Sequence, residues 1–127
     1  MRQGPMDLWE TELDRMELVV ESVGVVTVVQ LSFESLNSGN VREFKSKIEG
    51  YLKPDTKMVL DMGKLRFVDS SGIGAILSFT KALAAVKGSL KLCSVSDPVQ
   101  NLFQLIHMDR ILEVYPTREE AIGSFEP

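Results

Sequence analysis

The chain has 127 residues, 44% of them hydrophobic, enough for one compact core and too few for two ordinary domains. A net charge of -4 with scattered Lys and Arg argues against a general nucleic-acid binder, because affinity for a phosphate backbone rests on clustered cations. Its single cysteine, Cys93, and single histidine, His107, rule out an internal disulfide and leave no His/Cys set for a catalytic metal.

Neither a metal nor a cofactor is therefore expected, and His107 reads as a structural or surface residue. The apolar runs are too short to span a membrane, and the opening "MRQGPMDLWETELDR" lacks the apolar core of a signal peptide. The lone thiol points to a reducing compartment, so a cytoplasmic location is expected.

Residues 1–15 carry Gly4 and Pro5, then acids among Leu8, Trp9 and Leu13 without a clean period; they read as an N-terminal extension to a domain spanning 16–125. "MELVVESVGVVTVVQL", Met16 to Leu31, is rich in valine and interrupted at Glu21, Ser22 and Gly24, as two strands of a hairpin would be. Val41, Phe44, Ile48 and Leu52 then recur at helical spacing, with Asn37 or Ser38 as the expected cap and Gly50 as the stop. Arg42, Lys45 and Lys47 alternate with Glu43 and Glu49 on that helix and read as a solvated face.

After Pro54 and Asp55, Lys57 to Met62 reads as a short buried strand. Ile73, Ile76, Leu77, Thr80, Leu83 and Ala84 give the next helix its stripe, ended by Gly88. Ser89 to Val95 reads as a strand. "DPVQNLFQLIHM" reads as a helix capped by Asp97, with Val99, Leu102, Phe103 and Ile106 facing the core. "RILEVY" supplies a last strand, and Thr117 with Glu120 forms a capping box for a final helix. Strands alternating with helices require parallel crossovers, so the expected fold is α/β: a mixed, mostly parallel central sheet of about five strands with about four helices and an N-terminal hairpin.

"LRFVDSSGIGAI", Leu65 to Ile76, places Asp69, Ser70 and Ser71 between an apolar run and a helix, at the sheet edge where α/β proteins usually bind. On the plainest reading Ser70 or Ser71 caps the helix, while Gly72 and Gly74 ease a tight turn. A nucleophile elbow would need G-x-S-x-G, but Val68 and Asp69 stand where its first glycine belongs, and His107 is the only candidate base. A dinucleotide fingerprint fails because Leu77 stands at the third glycine's place, and a P-loop lysine is absent. A third reading makes a serine the phosphoacceptor: helix amides and the dipole receive a phosphate, while Asp69 beside it adds like charge against a docked partner.

The segments "VLDMGKLRFVDSSGIGAILSFTKALAAVKGSLKLCSV" and "VQNLFQLIHMDRILEVYPTREEAI" strongly resemble the STAS domain family, and within it the bacterial anti-sigma factor antagonists. The resemblance covers about Met16 to Phe125. It implies a STAS fold, no enzymatic activity, and phosphorylation at Ser70 by an anti-sigma factor serine kinase with bound ATP, reversed by a PP2C-like phosphatase. Asp69, Ser71, Gly72, Ile73 and Gly74 would border the partner, as would Leu36 and Asn37 of "LSFESLNSGN", where Phe33 and Glu34 occupy the place of a usual glycine.

The protein so implied is a partner-switching regulator of transcription, a monomer or weak dimer that binds neither nucleic acid nor membrane and frees a sigma factor by occupying its inhibitor. The main rival is a STAS module of another complex, such as a stressosome-like scaffold, in which the same corner binds without necessarily being phosphorylated. A small serine hydrolase or nucleotide-binding enzyme is disfavoured by the missing base and glycines.

Overall fold

A computed structural model of the chain describes residues 17–126, so the expected extension, 1–15, with Trp9, lies outside the described residues. The valine-rich start forms strands β1 (Leu18–Val23) and β2 (Val26–Leu31), antiparallel, with Val23 opposite Val26. Glu21 and Ser22 belong to β1 and do not interrupt it. The reversal falls at Gly24, whose φ of 61° suits a residue without a Cβ.

Next come β3 (Ser35–Leu36), helix α1 (Val41–Ile48), β4 (Lys57–Asp61), β5 (Phe67–Val68), α2 (Ser70–Ala85), β6 (Ser89–Cys93), α3 (Asp97–Leu105), β7 (Glu113–Tyr115) and α4 (Arg118–Gly123). The main sheet has five strands in the order β1-β2-β4-β6-β7, parallel everywhere except the opening hairpin. The α/β reading and its strand count therefore hold. Unanticipated is a second sheet of two strands, in which β3 runs parallel to β5.

Successive side chains of a strand point to opposite faces, and here each face has its own cover. Val29, Leu31, Met58, Leu60, Leu90 and Leu92 meet Phe44 and Ile48 of α1, Ala75, Ile76, Phe79 and Leu83 of α2, and Val99 and Phe103 of α3. Val26, Val28, Val59 and Cys93 meet Ala121 of α4, with Tyr115, Ile122 and Phe125 packed around them. Lys91 shares that second face and is buried. Its ammonium donates to Ser124 Oγ at 2.8 Å and sits 4.2 Å from the Phe125 ring centre.

Helix ends differ from the expectation in ways the backbone explains. The cap position of α1 is Asn40, because the Asn37 carbonyl already accepts from the Asn40 and Val41 amides in a turn. At the other end α1 tightens into a 3-10 turn over Glu49–Tyr51, so Gly50 does not stop it. Helix α2 closes with Lys87, φ 66°, in the left-handed position; the Lys87 amide bonds the Ala84 carbonyl, and that of Gly88 the Leu83 carbonyl. Ser96, not Asp97, precedes α3, and its hydroxyl donates to the Leu65 carbonyl.

The buried face of α2 is Gly72, Ala75, Ile76, Phe79 and Leu83; Ala84 is exposed, and Ile73, Leu77 and Thr80 are half-buried. In α3, Val99 and Phe103 are buried and Leu102 half-buried, whereas Ile106 is 42% exposed because the helix has already ended. His107 follows with φ 62° and is exposed. The Thr117 cap is present, its hydroxyl accepting from the Glu120 amide at 3.1 Å. Arg42 and Lys45 are exposed, and Lys47 pairs with Glu43 at 3.1 Å, as a solvated face requires.

Candidate functional site

The corner forms where β5 turns into α2, and Asp69 is the residue at the bend. Its amide donates to the Leu36 carbonyl at 3.1 Å, in line with the β3–β5 ladder, while its own carbonyl accepts from Ile73 at 3.0 Å, the first bond of the helix. Its carboxylate accepts from the Gly72 amide at 3.0 Å and from the Ser38 amide at 2.9 Å. The cap is thus Asp69 and neither serine; Ser70 and Ser71 occupy the first two helical positions. The Gly72 amide, with the Ser38 and Ser71 amides, holds the Asp69 pKa below the ordinary carboxylate value, against the opposing effect of burial.

Ser70 is exposed at the start of a 16-residue helix, whose dipole favours added negative charge there. Ser71 and Ile73 are half-buried, and Gly74 is exposed with open space around it. Gly72 is buried, and a Cβ there would lie 2.7 Å from the Leu36 carbonyl oxygen and 2.8 Å from Val68. Both glycines lie within α2 and ease no turn. Gly72 instead allows the helix to approach β3.

Leu36 and Gly72, both expected to border a partner, are buried beneath the exposed residues of the corner. Asn37 is half-buried: its side-chain amide donates to Ser35 Oγ at 2.6 Å and its Oδ1 accepts from Gly39 at 2.8 Å. Asn40 closes the loop, accepting from the Asn37 amide at 2.9 Å and donating to the Ser35 carbonyl at 2.7 Å. Exposed at the corner are Ser38, Gly39, Ser70 and Gly74, with Asp69, Ser71 and Ile73 partly accessible. Phe67, 55% exposed in β5, is a further candidate contact; in the sequence it is one of two adjacent apolar residues, and nothing there says which of the two faces out.

Two other polar groups are structural. Arg118 binds Asp61 Oδ2 through Nε at 3.0 Å and Nη2 at 2.8 Å, and Glu21 through Nη1 at 2.6 Å, joining α4 to β4 and β1. Cys93 is fully buried, and burial, with the Asp61 charge second, pushes its thiol up to about 11. It is a packed side chain rather than a nucleophile. Among the described residues no group of three His, Cys, Asp or Glu is placed to hold a metal ion, and no helix is long and apolar enough to cross a membrane.

A family model described as STAS domain matches residues 17–121. BtrV of Bordetella bronchiseptica is 29% identical over 92 residues, which are 72% of this chain and 79% of that protein. The unphosphorylated anti-sigma factor antagonist SpoIIAA is 29% identical, with a TM-score of 0.67 over 85% of this chain and 95% of that one. The phosphorylated form of the Bacillus cell fate determinant SpoIIAA is 27% identical, with a TM-score of 0.63 over 87% of this chain and 100% of that one.

Proposed function

Since the chain belongs to the STAS domain family, we propose that it is an anti-sigma factor antagonist whose docking is switched by phosphorylation of Ser70. Unphosphorylated, it presents the Ser70 corner to an anti-sigma factor that is also a serine kinase with bound ATP, and by occupying that inhibitor frees a sigma factor. Phosphate transfer to the Ser70 hydroxyl ends the docking, and a PP2C-like phosphatase restores it. The chain itself performs no chemistry, acts in the cytoplasm, and uses residues 16–125 as its STAS domain.

The observation that carries this reading is the setting of Ser70: exposed, first in α2, and next to a carboxylate already engaged by the Gly72 and Ser38 amides. A phosphate there lies at the positive end of the helix dipole, which the fold tolerates, while it adds about -1.5 to -2 charges to the surface a partner must cover. Likeness to SpoIIAA, solved both with and without phosphate, supports a switch of this kind.

The test is incubation with the serine kinase anti-sigma factor and ATP, followed by peptide mass spectrometry. One phosphate per chain at Ser70 is expected, and Ser70→Ala should abolish it. That variant should remain folded, because the helix cap is Asp69. Label at Ser71 or elsewhere would overturn the assignment.

A further inference from the structure

The β3–β5 ladder stops in an unusual way. Its rungs pair Ser35 with Phe67 and Leu36 with Val68, and the Asp69 amide then donates to the Leu36 carbonyl. Continued by one rung, a parallel ladder would have the Ser38 amide donate to the Asp69 carbonyl. That carbonyl is committed to Ile73, the first bond of α2. The Asp69 carboxylate takes its place, accepting from Ser38 at 2.9 Å with Oδ2 while Oδ1 caps the helix through Gly72.

One side chain therefore ties two segments far apart in sequence: the exposed turn at Ser38 and Gly39, and the exposed start of α2 at Ser70. We propose that Asp69 is a positioning residue, holding the Ser38–Gly39 turn beside Ser70 so that the two segments form one docking surface for the kinase. This inference rests on the phosphoacceptor reading of Ser70 given above. It adds that a single carboxylate oxygen, on Asp69, sets the register of the 38–39 turn against the helix start.

Two substitutions cut the tether from opposite sides. Asp69→Asn keeps an oxygen for the Gly72 amide, since asparagine is as good a cap as aspartate, but presents an NH2 group where Ser38 needs an acceptor. Ser38→Pro deletes the donor. The Asn40 amide bonds the Asn37 carbonyl at 3.1 Å, which makes Ser38 the second residue of a four-residue turn, a position that proline favours.

The experiment measures steady-state phosphorylation of Ser70 by the kinase, and amide hydrogen exchange, for wild type, both variants and the double variant. Each variant should raise KM about tenfold with kcat within about twofold, the loss expected of one charge-assisted hydrogen bond. In the double variant the increase should be no larger, because both changes remove the same bond. Exchange at Ser38 in Asp69→Asn should quicken while Gly72 stays protected. A general loosening of the fold would instead expose both amides and lower kcat.

If wild type is phosphorylated at Ser70 and both variants keep its KM, the tether has no part in docking and the proposal is overturned. Additive effects in the double variant would also overturn it. A wild-type protein that neither binds nor accepts phosphate overturns the reading of Ser70, and this role of Asp69 with it.

Discussion

Replacing Gly72 with alanine sets two effects of opposite sign against each other. Alanine is favoured over glycine within a helix by about 1 kcal/mol, and Gly72 is helical. A Cβ at this position, however, would lie 2.7 Å from the Leu36 carbonyl oxygen, 2.8 Å from Val68 Cγ1 and 2.9 Å from Leu36 Cγ. That carbonyl cannot swing aside freely, because it accepts the Asp69 amide at 3.1 Å. Forcing an extra methyl into a core costs about 1–3 kcal/mol, and three contacts under 3.0 Å, one to a backbone oxygen, put this site at about 2–3 kcal/mol, so Gly72→Ala should lose about 1–2 kcal/mol net. Gly74, two residues further along α2, has nothing within 4 Å of its would-be Cβ and is the internal control. Gly74→Ala should gain about 0.5–1 kcal/mol. Urea denaturation of the three proteins, with unchanged slope and shifted midpoint, reads both signs directly. A Gly72→Ala protein at least as stable as wild type would refute the close approach of α2 to β3 on which the corner's geometry depends.

Arg118→Met should cost about 2–3 kcal/mol by urea denaturation, because it leaves the buried Asp61 carboxylate without its guanidinium. The Cys93 thiol is raised to about 11, so its contribution is intact at neutral pH and is lost as pH rises from the ordinary thiol value of about 9 towards 11. Stability should fall by roughly 2–3 kcal/mol over that alkaline window, less in Cys93→Ala, as denaturation midpoints at stepped pH would show. The lowered Asp69 pKa has the opposite sign: its contribution is present above the ordinary carboxylate value and lost as pH falls through the folded one. The Ser38 and Gly72 amide resonances should therefore titrate together in acid, below about pH 4, and a Ser38 resonance that ignores this range would count against the shared carboxylate.

Much of the architecture was legible because it rests on long periodic segments. Valine runs around Gly24 and the alternation of strand with helix give the hairpin and the mostly parallel sheet, with no need of tertiary detail. The strands β3 and β5 were not legible: at two residues each they carry no period, and they exist because α2 brings Val68 and Leu36 together. The same limit hid the cap. Asp69, Ser70 and Ser71 are all good capping residues, and which one caps is set by where β5 releases the chain. The apolar period of α2 puts Ala84 inside, whereas the buried set takes in Phe79 together with Gly72 and Ala75, two small residues that look like spacers in a hydrophobic pattern. Lys91 shows the converse: a charge in a strand reads as outward, yet α4 and Phe125 cover it. At the candidate site, Ser70 was placed correctly at the helix start. The separation of exposed Ser38 and Ser70 from buried Leu36 and Gly72 had to come from packing.

The most direct test of the central claim, that charge at Ser70 gates docking, is a calorimetric titration of the kinase anti-sigma factor with unmodified, Ser70-phosphorylated and Ser70→Asp protein. Phosphate takes the chain from -4 to nearly -6 and sets the added charge at the proposed docking centre. Burying that charge there without a cationic partner costs about 3–4 kcal/mol, which is two to three orders of magnitude in affinity. The phosphorylated protein should bind that much more weakly, and Ser70→Asp, with one charge and fewer acceptor oxygens, should fall between the two. Equal affinities for the unmodified and phosphorylated proteins would contradict the electrostatic gate.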